Sequence, residues 1–143
     1  MGTSIIDRET FEVYYYESDY PKAFLCDQAL AYPVSMLNKK GYKTVYSCSG
    51  HYYLVHETYH QEMYILFDKV YKFDNLPEGF EEETSTNLDG IDRTRIYYVI
   101  DNYKDDKFTI TKERPEFETE LEMLSQRLMK WVESLPENKE RND

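Results

Sequence analysis

Cysteine, glycine and proline are scarce in this chain of 143 residues, which has 2 Cys, 5 Gly and 5 Pro. Two cysteines are too few for a disulfide framework, so Cys26 and Cys48 are expected to be free thiols in a reducing compartment. The low glycine and proline content excludes collagen-like and low-complexity architectures. We therefore expect one cytoplasmic globular domain over residues 1–136, followed by a frayed C-terminal tail over residues 137–143 that has nothing to bury.

Long apolar runs and an excess of basic residues are also missing. No segment has the roughly 20 consecutive apolar residues that a membrane helix needs, and the first residues lack the pattern of a secretory signal. The 28 acidic residues outnumber the 17 basic ones and give a formal net charge of -11. Such a charge repels the phosphate backbone of nucleic acids. We therefore expect no membrane association and no direct binding of nucleic acid.

Aromatic residues are abundant instead, with 15 Tyr and 7 Phe, and many lie in segments that favour β-strands. The predicted strands are residues 11–16, 42–47, 63–67, 94–101 and 107–111, the last two forming a hairpin. The fold class that follows is α+β, a single compact domain with an antiparallel or mixed sheet of about five strands packed with two helices.

Two segments predict those helices. The first, Asp27–Lys40, carries apolar residues on one stripe, with Gly41 placed to end the helix and Pro33 placed to kink or restart it. The second begins near Pro115 and repeats apolar residues at spacings of three and four. Residues 73–92 between the predicted strands are acidic and broken by proline and glycine, so they predict a loop with one helical turn.

The stretch YSCSGHYY, residues 46–53, differs from ordinary scaffold. A strand that ends in small polar residues can aim successive backbone N–H groups at one point and form a nest for an anion. Hydroxyls add donors, and a glycine allows a close approach of the ligand or a positive φ. The predicted ligand-binding residues are Ser47, Cys48, Ser49, Gly50 and His51. The alternative is a plain turn with Cys48 packed inward.

The pattern LNKKGYKTVYSCSGH resembles two families. Residues 37–50 are similar to the motif of the methyltransferases of wybutosine synthesis in transfer RNA, although His51 stands where that family usually has arginine. This resemblance implies a pocket around residues 47–50 that meets S-adenosylmethionine or the RNA substrate. The chain is also similar to small uncharacterised proteins of low-GC Gram-positive bacteria and their phages, and that resemblance implies no activity.

A zinc site is a further hypothesis for the same segment. Cys48, His51, His56 and His60 have the spacings CxxH and HxxxH that occur among zinc ligands. If residues 55–61 were helical, His56 and His60 would share one face. The alternative is an aromatic loop whose histidines are solvated.

Two functions of different class follow. The first is a cytoplasmic binding protein, with enzymatic activity left open, that holds a small anionic or nucleotide-like ligand at the SCSGH loop. The second is an acidic inhibitor of phage or mobile-element type that imitates a nucleic acid and binds a basic protein partner. In that case the acidic run Glu78–Asp92 would steer the partner and exposed tyrosines would anchor it. The second function requires the acidic side chains to line up on one surface.

Overall fold

The computed structural model describes residues 3–14, 23–49, 60–102 and 114–138, and within them it contains seven strands and two α-helices. The strands are β1 (Thr3–Asp7), β2 (Val13–Tyr14), β3 (Ala23–Asp27), β4 (Thr44–Cys48), β5 (His60–Phe67), β6 (Glu81–Thr86) and β7 (Asp92–Asn102). The helices are α1 (Ala31–Lys39), which follows the short 3-10 turn Gln28–Leu30, and α2 (Arg114–Ser134).

The strands form two antiparallel sheets. One has three strands in the order β2-β1-β3, and the other has four strands in the order β4-β5-β7-β6. All five strand pairs within these sheets are antiparallel. The predicted α+β class is therefore confirmed, whereas the single sheet of about five strands is wrong, because the larger sheet has four strands and β1, β2 and β3 pair separately.

Strand β6 corrects the loop predicted over residues 73–92. Glu81–Thr86 pairs with β7 along its whole length and forms one edge of the four-stranded sheet. Its side chains are exposed with the single exception of the half-exposed Ser85, so the strand lacks the alternation of apolar and polar residues that marks a half-buried strand. Charged side chains on an edge strand also discourage pairing with another chain.

The first helix begins later than its pattern predicts. Asp27 ends β3, the 3-10 turn follows, and the α-helix starts only at Ala31. Pro33 then lies in the first turn, where backbone N–H groups have no partner within the helix, so the proline breaks no bond. Of the strand predicted over residues 11–16, Val13 and Tyr14 are confirmed, and residues 15–16 and the predicted strand 107–111 lie outside the described residues.

The core lies between the two helices and one face of the four-stranded sheet. Met63, Ile65 and Phe67 alternate along β5 and are fully buried. Helix α2 confirms its predicted stripe, whose buried members are Phe117, Leu121, Leu124, Leu128 and Trp131. Each fully buried side chain of this size stabilises the fold by about 1.5–3 kcal/mol, so the alternation and the stripe fix which faces meet.

Lys40 joins the C-terminal ends of the two helices. It follows α1 directly, and its Nζ donates hydrogen bonds to the carbonyl oxygens of Val132 (2.7 Å), Glu133 (3.1 Å) and Leu135 (2.6 Å). Carbonyls at a helix C-terminus lack partners within the helix and form the negative end of its dipole. A single ammonium group therefore both satisfies and neutralises the end of α2.

The chain after α2 is bonded to the same corner. The hydroxyl of Tyr42 donates to the carbonyl of Pro136 at 2.8 Å. Asn138 donates from its backbone N–H to Lys40 at 2.8 Å and from its side chain to Gly41 at 3.0 Å. The bonded chain thus extends two residues past Pro136, where the sequence places the end of the globular domain, and residues 139–143 lie outside the described residues.

Replacement of Lys40 by Met is expected to lower the free energy of unfolding by about 2 kcal/mol, because several helix-end carbonyls lose a charged donor. The neighbouring Lys39 is a matched control, since it is partly exposed and its ion pair is with Glu12 at 2.9 Å. Lys39→Met is expected to cost about 0.5 kcal/mol. Urea denaturation measures both variants, and equal losses would contradict the role of Lys40.

Candidate functional site

Strands β3 and β4 end side by side although they belong to different sheets. The sulfur of Cys26 lies 3.7 Å from the hydroxyl oxygen of Ser47. Further along both strands, Ser49 contacts the side chain of Asp27. Since the contacts follow the same order along both strands, the strands run in the same direction and α1 connects them. In parallel sheets ligands commonly bind where the strands end, and although β3 and β4 share no strand ladder, the corresponding point here is at Asp27 and Ser49.

Ser49 uses both of its donors on one carboxylate oxygen. Its backbone N–H lies 2.8 Å and its hydroxyl 3.1 Å from Oδ2 of Asp27, and its side chain is 1% exposed. Hydrogen bonds to a charged acceptor each contribute about 1.5–3 kcal/mol. An N–H group bonded in this way is not available to a nest, and an anion bound here would face the negative charge of Asp27. The described end of β4 therefore favours a ligand group that donates hydrogen bonds over an anion.

The structure describes three of the five residues predicted to bind a ligand. Ser47 and Ser49 contact β3, whereas Cys48 lies between them in sequence and is half-buried. Gly50 and His51 lie outside the described residues. The pattern of the SCSGH stretch did not identify Asp27 as a neighbour, since a contact over 22 positions leaves no local signal.

Tyrosines surround Cys48 on the face of the four-stranded sheet that is turned away from Met63 and Ile65. Cys48 pairs with Tyr64 across β4 and β5. Tyr46, two residues before Cys48 on β4, lies on the same face with 63% of its surface exposed. Tyr97 pairs with Tyr64 across β5 and β7 and therefore lies on this face too. We call the residues Tyr46, Cys48, Tyr64 and Tyr97 the tyrosine face.

The surroundings of Tyr64 raise the pKa of its phenol. Burial is the largest cause that raises the pKa of Tyr64, and the nearby Cys48 and Asp27 raise it further. An ordinary tyrosine already titrates near pH 10, so the hydroxyl of Tyr64 stays protonated at neutral pH. It can therefore donate a hydrogen bond to a ligand at the tyrosine face.

Arg95 of β7 holds the rings of this face in place. Its guanidinium carbon lies 4.9 Å from the ring centre of Tyr64 and 4.8 Å from that of Tyr97. It also forms ion pairs with Glu62 and, at 2.9 Å, with Glu83. Burial lowers the pKa of Arg95, but a guanidinium remains charged at neutral pH. The rings of Tyr64 and Tyr97 are therefore held in place before any ligand binds.

The acidic residues of β6 do not form one surface. Successive side chains of a strand point to opposite faces, so Glu81 and Glu83 lie on the tyrosine face and Glu82 lies on the other. Glu81 accepts a hydrogen bond from the hydroxyl of Tyr97 at 3.0 Å, and Glu83 pairs with Arg95. Two of the three carboxylates are thus already bonded within the sheet.

The proposed zinc ligands are not assembled by the described residues. His51 and His56 lie outside them, and His60 belongs to strand β5 rather than to a helix. In the described ranges, no group of three or more His, Cys, Asp or Glu side chains is placed to hold a metal ion. The zinc site stays a prediction.

None of the helices within the described ranges has the length and apolar character needed to cross a membrane.

The two thiols are expected to differ in reactivity. Burial raises the pKa of Cys26 to about 12, so almost no thiolate forms at pH 8, whereas Cys48 is half-exposed and reacts as an accessible thiol. Iodoacetamide should therefore label the native protein once, the Cys26→Ser variant once and the Cys48→Ser variant not at all, as read by mass spectrometry. Rapid labelling of Cys48→Ser would contradict the burial of Cys26.

Protein-family models, curated proteins and solved structures were each compared with the chain, and none of them matches it. Its function is therefore inferred from the geometry of its own residues.

Proposed function

We propose that this protein is a binding protein whose ligand site lies at the common carboxyl end of β3 and β4. The observation that carries this proposal is the partly buried contact between Ser49 and Asp27. This contact fixes the end of β4 next to the tyrosine face. Gly50 and His51 follow Ser49 directly in the sequence. No reaction is proposed.

The chemistry of the site suits a nucleoside-like ligand, which carries an aromatic ring and several hydrogen-bond donors. The exposed ring of Tyr46 offers a surface on which a base can stack. The negative charge of Asp27 attracts donors such as the amino group of a base. Because the N–H group of Ser49 is bonded to Asp27, the described residues give a phosphate no comparable support. Of the ligands expected from the sequence, which are anionic or nucleotide-like, we therefore propose one that the protein recognises through its base.

A thermal-shift panel of nucleosides, their nucleotides, cyclic nucleotides and S-adenosylmethionine tests this function. We expect at least one base to stabilise the protein, with the nucleoside as effective as its nucleotide. Stacking on an aromatic side chain contributes about 1–3 kcal/mol, so Tyr46→Ala should weaken binding roughly tenfold or more. Leu88→Ala is the control, because Leu88 is a fully exposed apolar side chain in the turn between β6 and β7.

Two results would remove the site. One is a panel in which no compound shifts the melting temperature. The other is a ligand whose binding is indifferent to Tyr46→Ala and also to Gly50→Val and His51→Ala, which replace the proposed stacking ring and the two residues that follow Ser49 in the sequence. Stabilisation by every nucleotide but by no nucleoside would show recognition of phosphate instead of the base.

The rival function, capture of a basic protein by one acidic surface, has less support. Its requirement was a row of acids on a single face, whereas Glu82 lies on the face opposite to Glu81 and Glu83. Carboxylates that are bonded to Tyr97 and Arg95 are less available to a partner. The tyrosine face is therefore assigned to a small ligand.

A further inference from the structure

A groove of about 760 Å³ lies at the end of β4 opposite to Ser49. One wall is the segment Lys69–Lys72, which follows β5, and the other is the chain 136–138 that follows α2. Tyr42, just before β4, forms its floor. This volume falls within the range of small-molecule sites in proteins.

Hydrogen bonds from each wall to neighbouring residues fix the shape of the groove. The hydroxyl of Tyr71 accepts a bond from the backbone N–H of Lys43 at 3.3 Å and donates to Asp68 at 2.7 Å. The backbone N–H of Tyr71 donates to Thr94 at 3.0 Å. On the opposite wall, Tyr42 holds Pro136 as described above. A ligand would therefore enter a site that is already formed.

The charge of the groove differs from that of the whole chain. Lys69 and Lys72 line it, and Lys43 is adjacent to Tyr42, in a protein with a formal net charge of -11. Within the described ranges, neither Lys43 nor Lys72 has a carboxylate within ion-pair distance. Lys69 lies 5.5 Å from the ring centre of Tyr71. The groove is therefore lined by ammonium groups that form no ion pair with the acidic side chains of the described residues.

Among the residues that the structure describes, three acidic side chains lie near the groove. Glu137 is the carboxylate in its lining. Asp68 accepts a bond from Tyr71, and Asp74 is close enough to Tyr42 to raise the pKa of its phenol, after the larger effect of burial. The negative end of α2, which would repel an anion here, is neutralised by Lys40.

A second groove on the far side of the same segment provides a contrast. It measures about 470 Å³ and shares Val70 and Lys72, but Glu82 and Glu83 also line it. The carboxylate of Glu82, on the same face of β6 as Thr84, lies beside one ammonium group and makes this groove less favourable for an anion. Charge therefore distinguishes the two grooves, and the larger one is the better site for an anion.

We propose that the larger groove binds a small anion with at least two negative charges, in contact with Lys69 and Lys72. Ammonium groups on flexible stems act as point charges and adapt to phosphate or carboxylate oxygens alike. The site is separate from the nucleoside-like site, because it lies at the amino end of β4 and uses none of its residues. The proposal adds an anion site apart from the SCSGH loop, where the predicted ligand site stays a prediction.

Calorimetry with pyrophosphate at low ionic strength tests the proposal, with citrate as a carboxylate probe of similar size. We expect binding that weakens as salt is added. Lys72→Gln should weaken it roughly tenfold, which corresponds to the loss of one charge-assisted contact. Lys130→Gln, the matched control on α2 outside this groove, should leave it unchanged. Glu137→Gln should strengthen binding, whereas Glu133→Gln should not.

Lys72 is exposed, so its replacement is not expected to unfold the protein, and the melting temperature without ligand checks this directly. Absence of pyrophosphate and citrate binding to the wild-type chain would overturn the proposal. So would equal weakening by Lys72→Gln and Lys130→Gln, because the anions would then respond only to total charge. Pyrophosphate binding that Tyr46→Ala leaves unchanged would support the proposal independently of the nucleoside-like site.

Discussion

The contact between Asp27 and Ser49 is the constraint on which the arrangement of the two sheets depends. Within the described residues, β3 pairs with β1 and β4 pairs with β5, so no strand ladder crosses from one sheet to the other. The carboxylate of Asp27 crosses this boundary with two hydrogen bonds, next to the contact between Cys26 and Ser47. Burial strengthens such bonds, because an unpaired carboxylate or N–H group would be costly there.

The two ends of β4 consequently have opposite chemistry. At its carboxyl end a carboxylate and phenol rings surround Cys48, which suits a ligand that donates hydrogen bonds. At its amino end, unpaired lysines and a neutralised helix terminus suit an anion. Helix α1 connects both ends, since the chain enters it from Asp27 through the 3-10 turn and leaves it at Lys39, directly before Lys40. The short strand and helix therefore position the two proposed sites, which differ in charge, in one small domain.

Sequence alone predicts the parts of this fold whose burial is periodic. The stripe of α2 and the apolar run of β5 are visible because one face of each is buried in a continuous core. Strand β6 is not predicted from the sequence, because its exposed edge position removes the alternation of apolar and polar residues. The candidate sites cannot be predicted from the sequence for another reason. Asp27 marks only the start of a predicted helix until its tertiary partner Ser49 is known, and the segment with Lys69 and Lys72 forms a groove only because it faces the chain after α2, which is distant in sequence.

A double-mutant cycle on Asp27 and Ser49 tests most directly whether their contact joins the sheets. The free energies of unfolding of Asp27→Ala, Ser49→Ala and the double variant would be measured against the wild-type chain in urea. A buried hydroxyl bonded to a carboxylate predicts that the double variant loses about 1.5 kcal/mol less than the sum of the single losses. Losses that add to within about 0.3–0.5 kcal/mol would contradict the account, since independent residues behave in that way.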